Sequence, residues 1–300
     1  MPIHVPVLLE EICYWLAPQA GQLLVDGTLG GGGHARQLAE SVQPDGWLVA
    51  IDRDPQAVAQ VETWPTATKS RVRVAVGNYA EIPEILREMN IDKVDGIMLD
   101  LGLSSDQLAD SERGFSFGSQ GSLDLRYNPL EGEPAFRLLE RLSERHLADL
   151  IYQFGEERRS RKIARRIVET RQRTPIRTAT DLVQVISRAV GGPSPHHRIH
   201  PATRTFQALR IAVNEELKWL EIALRRLPDL LGAEGKLVII SFHSLEDRLV
   251  KRAFRDDARL ENLTKKPIRP SQDEVTANPR SRSARLRVAQ RRTQDPTKTK

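Results

Sequence analysis

At 300 residues, 39% hydrophobic and 28% charged, the chain has the composition of an ordinary globular protein of one large domain or two. No apolar run approaches the roughly 20 residues of a membrane span, and Cys13, the only cysteine, excludes an internal disulfide and a cysteine-rich zinc site. The net charge of +5 is unevenly spread: residues 248–300 hold 16 Lys+Arg against 6 Asp+Glu, and residues 156–177 hold 9 against 3, on an otherwise acidic body.

The opening MPIHVPVLLEEICYW has neither a basic start nor a small-residue cleavage site, so a cytoplasmic protein is expected. QLLVD (22–26) reads as a strand, followed by a helix from about His34 to Val42. WLVAID (47–52) is a second strand, with a helix starting at Pro55, a favoured first-turn position. RVRVAV (71–76) is a third, followed by a helix from about Ala80 to Met89. VDGIMLDLG (94–102) is a fourth, and its continuous apolar core fits a strand buried on both faces. Four β-α repeats predict a parallel, doubly wound sheet.

From about Ser105 to Arg204 the pattern offers no convincing strand, only Gly/Ser-rich loops such as RGFSFGSQGSLD and helical stretches such as AFRLLERLSERHLADLIYQF. A long amphipathic helix then carries Phe206, Leu209, Val213, Leu217, Leu220 and Leu224 at helical spacing. GKLVIISF (235–242) supplies a fifth strand, and LENLTKK and ARLRVAQR read as an antiparallel pair at one sheet edge. The expected architecture is α/β: a sheet domain from residues 1–107 and 205–300, with a helical domain, 108–204, inserted into it.

In LLVDGTLGGGGHARQLAE (23–40), four consecutive glycines, Gly30 to Gly33, join the first strand to its helix. Such a turn lets a ligand approach main-chain N–H groups. Gly30, Gly32 and Ala35 fit the G-x-G-x-x-A fingerprint, and Asp52, 22 residues after Gly30, stands where an acid grips a ribose hydroxyl pair. No Gly-Lys-Ser/Thr follows, so a Walker-type ATP site is excluded. A nicotinamide or flavin dinucleotide and S-adenosylmethionine (SAM) remain. Asp26 favours SAM, because its charge attracts an ammonium or sulfonium and repels a pyrophosphate; the same residue can also act as a turn cap. Tyr79 and Asp100 follow the third and fourth strands at the carboxyl edge where ligands gather, Tyr79 as an adenine platform or as core.

The stretches HVPVLLEE, DGTLGGGGHA, IDRDPQA, DGIMLDLGLSSDQL, RGFSF, LDLR, YQFGEER, HPATRTFQALRIAVNEEL, SFHSLEDR and NPRSRSARLR run in order from His4 to about Arg291. In them the chain resembles the RsmH/MraW family of bacterial 16S rRNA cytidine N4-methyltransferases. The resemblance implies a Rossmann-like, class I SAM-dependent methyltransferase sheet with an inserted α-helical domain. It implies SAM contacts at Gly32, Gly33, His34, Asp52, Tyr79, Asp100 and Gln107. Tyr79 stands where the family more often has phenylalanine, and Gly31 is an extra glycine at a variable position of the turn. The implied substrate is one cytidine in the decoding centre of the small ribosomal subunit. The basic segments 156–177 and 248–292 then have a partner in the rRNA backbone. Phe115, Phe117 and Phe242 are candidates for stacking on an extruded cytosine, or for core packing.

Cytosine N4 is a weak nucleophile, because its lone pair is delocalised into the ring, so it must be held in line and must lose a proton. Many exocyclic-amine methyltransferases carry an Asp/Asn/Ser-Pro-Pro-aromatic loop after the fourth strand; this chain has DLGLSS there. The candidate acceptors are Asp100, Ser104 and Ser105 on that loop, and His243 with Glu246 and Asp247 in SFHSLEDR. His243 reads equally as a proton acceptor and as a structural histidine. Arg204 and Arg210 are candidates for phosphate or base contacts, or for ties within the fold. His196, His197 and His200 read as a polar loop, and no metal is expected. The rival reading is a non-catalytic RNA-binding ribosome-assembly factor that keeps the fold as a scaffold.

Overall fold

The structure, a computed structural model, describes residues 6–69, 71–192 and 200–293. His196 and His197 lie outside the described residues. The chain forms two compact units, one from residues 1–104 and 217–300 and the other from 105–216.

The first unit is built on β1 (Leu23–Asp26), β2 (Trp47–Asp52), β3 (Val72–Val76), β4 (Val94–Asp100), β5 (Leu231–Ser241), β6 (Leu260–Asn262) and β7 (Arg285–Arg291). They form one sheet in the order β3-β2-β1-β4-β5-β7-β6. The first five strands are parallel, β7 runs antiparallel to β5, and β6 runs antiparallel to β7 at the edge. The α/β class, the parallel core and the antiparallel edge pair are those read from the sequence.

Helices α1 (Leu9–Leu16), α2 (Gly33–Ser41), α3 (Pro55–Gln60), α4 (Thr66–Lys69) and α5 (Ile82–Glu88) accompany the first strands. The second unit holds α6 (Ser105–Ala109), α7 (Ala135–Arg141), α8 (Glu144–Gly155), α9 (Ser160–Arg171), α10 (Ala179–Val190) and α11 (Thr203–Asn214). The chain then returns to the sheet through α12 (Glu216–Arg226), α13 (Ser244–Asp256) and α14 (Gln272–Ala277). None of the helices among the described residues is long and apolar enough to cross a membrane.

Successive strand residues feed two separate cores, as period-two alternation requires. Val25, Val49, Ile51, Ile97, Leu99, Leu237 and Ile239 point into one, with Ile82, Leu86, Leu224 and Phe254. Leu24, Leu48, Ala50, Met98, Val238 and Ile240 point into the other, with Ile12, Leu16, Leu38 and Leu286. Burial on both faces explains the unbroken apolar runs. The helical unit has its own core, in which Leu147, Ile151, Ile163, Ile167, Leu182, Ile186 and Leu209 are fully buried.

Two expectations are corrected. The helix read as continuous from Phe206 to Leu224 breaks at Glu215, whose φ of +50° is left-handed. Asn214 accepts from the Tyr127 N–H and donates to the Leu125 carbonyl, and Arg210 forms a bidentate pair with Glu216 across the break. Each half buries an apolar face, so the hydrophobic period runs on through the break. The helical unit ends at residue 216 rather than 204, because α11 packs on α8. Gln207 donates to the Phe154 carbonyl, and a Cβ at Gly155 would lie 2.4 Å from the Arg204 carbonyl oxygen.

Candidate active site

The sheet's strand order changes direction between β1 and β4, which opens a crevice at their carboxyl ends. Asp26, Asp52 and Asp100 end β1, β2 and β4 at this edge. The glycine turn runs beside them. Gly30 and Gly32 have φ of +49° and +74°, a region that side chains rarely adopt. A Cβ at Gly32 would meet the Trp64 ring at 2.2 Å, and one at Gly30 would lie 3.3 Å from the Ser104 Cβ. The turn is fastened from β2: Asp52 Oδ2 accepts the Gly30 N–H at 2.8 Å and Oδ1 accepts the Asp54 N–H at 2.8 Å.

Asp26 is fully buried, and its Oδ1 accepts from the Thr28 N–H at 2.9 Å and the Thr28 hydroxyl at 3.3 Å. The same hydroxyl oxygen accepts the Asp100 N–H at 2.6 Å, so Thr28 ties β1 to β4 through their terminal acids. Among the described residues, Asp26 Oδ2 and Asp100 Oδ1 are buried with no hydrogen-bond partner. Burial, with the charge of Asp52 beside it, pushes the Asp26 carboxyl up to about 7 against the opposing pull of Thr28. Burial, and then the charges of Asp26 and Glu246, push Asp100 well above the usual carboxylate range. Acids crowded in this way are short of positive charge, and a cationic ligand group offsets the cost of ionising them.

His34, on the first turn of α2, has Nε2 at 2.9 Å from the Val7 carbonyl oxygen and Nδ1 at 3.7 Å from Asp100 Oδ2. Tyr79 is half-buried against the first core, with its Cβ 3.2 Å from where a Cβ at Gly27 would stand. His243 caps α13: its Nδ1 accepts the Glu246 N–H at 3.4 Å, while Glu246 Oε2 accepts the Phe242 and His243 N–H groups. His243 Nε2 lies 3.2 Å from Glu246 Oε1. Gly32, Gly33, His34, Asp52, Tyr79, Asp100, Ser104 and His243 thus all belong to the sheet unit, whereas Gln107 lies buried on α6 of the helical unit.

Residues 1–292 match the MraW methylase family. This chain belongs to that family. Proteins named ribosomal RNA small subunit methyltransferase H from Rhodopirellula baltica and Thermomicrobium roseum are 49% and 47% identical to it, over 96% of this chain and 91% and 93% of theirs. The protein of that name from Geotalea uraniireducens is 46% identical, over 96% of this chain and 98% of its own length.

In this member of the MraW methylase family, several sequence candidates are occupied with structure. Phe115 is buried and stacked on Tyr127 with centroids 6.3 Å apart, and Phe117 packs on His200 and Phe206. Phe242 packs against the second core. Arg210 spends its guanidinium on Glu216, and Arg204 donates to the Glu156 carbonyl at the end of α8. The basic segments differ in kind. On and beside α9, Arg158, Arg161, Lys162 and Arg173 are exposed and have no acidic partner among the described residues. In the C-terminal segment Arg252, Arg255, Arg259, Arg285, Arg287 and Arg291 all pair with Asp229, Asp247, Asp256 or Asp257. Sequence reasoning missed Thr28; the signal was present in Asp-Gly-Thr, where a hydroxyl two residues past a strand-ending acid closes back on it.

Proposed function

We propose that this chain is an S-adenosylmethionine-dependent methyltransferase of the small ribosomal subunit's 16S rRNA, acting on the exocyclic N4 of a cytidine in the decoding centre. The observation that carries the cofactor is the pair of buried, unpartnered carboxylate oxygens on Asp26 and Asp100 beside a left-handed glycine turn. Such a crevice suits an ammonium and a sulfonium; a pyrophosphate would meet like charge. The rRNA follows from the names of the relatives and from the unpaired bases of α9.

Asp26 holds the ammonium end of the cofactor, Asp52 accepts from the ribose hydroxyls, Tyr79 packs on the adenine side, and the turn through Gly32, Gly33 and His34 offers main-chain groups. When bound, S-adenosylmethionine supplies a sulfonium methyl, to which the N4 lone pair forms the new N–C bond while the C–S pair stays with sulfur. Asp100 accepts the proton that N4 sheds. His243 is the weaker candidate, because its Nδ1 is spent on the helix cap and its Nε2 faces Glu246. Ser104, next to Gly30, lines the crevice and is too weak a base to keep the proton. The helical unit, with residues 156–177, engages the rRNA backbone through phosphate contacts. The reaction takes place where the protein meets ribosomal particles, in the cytoplasm.

The test is transfer of labelled methyl from S-adenosylmethionine to small subunits that lack the modification, with the product nucleoside identified by mass spectrometry. N4-methylcytidine at one position is the expected product. Binding of S-adenosylmethionine with no transfer to any assembly particle would favour the scaffold reading.

A further inference from the structure

The hydrogen-bond partners of His34 limit where its protons sit. A carbonyl oxygen only accepts, so Nε2, 2.9 Å from the Val7 oxygen, carries a hydrogen. The other nitrogen faces Asp100 Oδ2 at 3.7 Å, with the imidazole side chain 6% exposed. A neutral ring would then turn the Nδ1 lone pair on a carboxylate oxygen. A second ring proton converts the same contact into an ion pair.

The surroundings favour that second proton. Asp26 from β1 and Glu246 from α13 face Asp100, Asp52 from β2 faces Asp26, and His243 lies on Glu246. Burial and these neighbours push the Asp100 carboxyl well above the usual carboxylate range, and a carboxyl that already carries a proton cannot take one from a substrate. The ring is also held in place. Pro6 packs against Gly33, where a Cβ would lie 2.4 Å from its Cγ, and the Leu8 N–H donates to Glu274 Oε1 at 2.8 Å.

We infer that His34 is a positioning residue for Asp100: as an imidazolium anchored on the Val7 carbonyl, it keeps Asp100 in the carboxylate form that takes the proton from the substrate amine. This rests on the methyl-transfer reading above and adds a second role to the cofactor contact expected of His34. The proton balance is simple. N4 gains a methyl and loses one proton to Asp100, and His34 keeps both of its ring protons through the step.

The first experiment is a pH titration of the full chain, labelled with ¹⁵N,¹³C-histidine and free of methyl donor, followed by NMR; the His34 signals are assigned from their absence in His34→Gln. In the wild type His34 is expected to stay protonated to higher pH than a free imidazole. Asp100→Asn should lower its proton affinity about tenfold or more, one unit on the pH scale. A midpoint that Asp100→Asn leaves in place overturns the proposal, since the proton would then belong to Asp100 and not to the ring. The second experiment uses His34→Gln, which can still donate to Val7 and cannot ionise. Losing the cation raises the proton affinity of Asp100, so the acid limb of the kcat profile should move to higher pH. A uniform loss of kcat at every pH would mark a purely structural role. If wild-type protein methylates no particle, the functional reading fails while the NMR titration still decides the pairing. If His34→Gln does not fold, the signals are assigned by Asp100→Asn difference spectra and the titration alone decides.

Discussion

The acids at the carboxyl edge of the sheet and the bases along α9 are both charged clusters, yet they are built in opposite ways. Asp26, Asp100 and Glu246 are buried or half-buried, and the charges of Asp26 and Glu246 add to burial in raising the proton affinity of Asp100. Arg158, Arg161, Lys162 and Arg173 stand in water above the buried stripe of Ile163, Ala164 and Ile167. Burial concentrates charge, so each acid is expected to matter greatly and to respond to pH. Exposure dilutes charge, so each base is expected to matter little by itself and to respond to salt.

The largest effect should follow from Asp100→Asn, which removes the proton acceptor and keeps the shape. Methyl transfer at saturating S-adenosylmethionine is expected to fall by about a hundredfold or more. A near-wild-type rate would put the acceptor elsewhere and break the contrast at its strongest point.

Next comes Asp26→Asn, expected to weaken S-adenosylmethionine binding about tenfold or more, as loss of a charge-assisted contact does. Calorimetry at several pH values sharpens this. The empty protein holds a proton on Asp26 until about pH 7, so wild-type affinity should fall as pH drops through that value and binding should release a proton. For folding the sign is reversed. A carboxyl whose affinity for protons is raised in the folded state contributes stability on the acid side, and that stability is lost as pH rises from the usual carboxylate range through about 7. Thermal unfolding of Asp26→Asn should therefore show a shallower decline over that interval than the wild type.

Smaller effects are expected on α9. Arg158→Ala, Arg161→Ala and Lys162→Ala should each reduce rRNA affinity only a fewfold and flatten the slope of log K against log salt by about 0.7 apiece, leaving S-adenosylmethionine binding unchanged. The smallest effect belongs to His243→Asn. Asparagine caps helices well, so stability should change by no more than about 0.5 kcal/mol and the rate by less than about threefold. A loss on the scale of Asp100→Asn would move His243 into the catalytic group.

Much of this was legible in the chain, for identifiable reasons. WLVAID and VDGIMLDLG announce strands because both faces of the sheet are covered, and the glycines stand out because the turn needs left-handed φ at Gly30 and Gly32, with Asp52 and Asp100 at the ends of their strands. The break at Glu215 was hidden, since a left-handed residue between two amphipathic halves leaves the apolar period intact and is set by the distant Tyr127 and Leu125 backbone. The cap role of His243 was hidden too. Ser, Thr, Asp and Asn signal a helix start, whereas histidine does so only when its ring folds back on the third residue of the helix. Nor could a count of Lys and Arg separate the C-terminal arginines, most of them already matched by Asp229, Asp247, Asp256 and Asp257, from the bases of α9.

The hydrogen bond from Leu8 to Glu274 joins positions 266 residues apart. The stretch from Pro6 to Leu8 braces the glycine turn and His34, yet the partner of Leu8 is translated 266 residues later. During synthesis the nascent chain has the turn long before it has the strut. The segment 6–8 is therefore tied down from the far end of the sheet domain only once translation has passed residue 274.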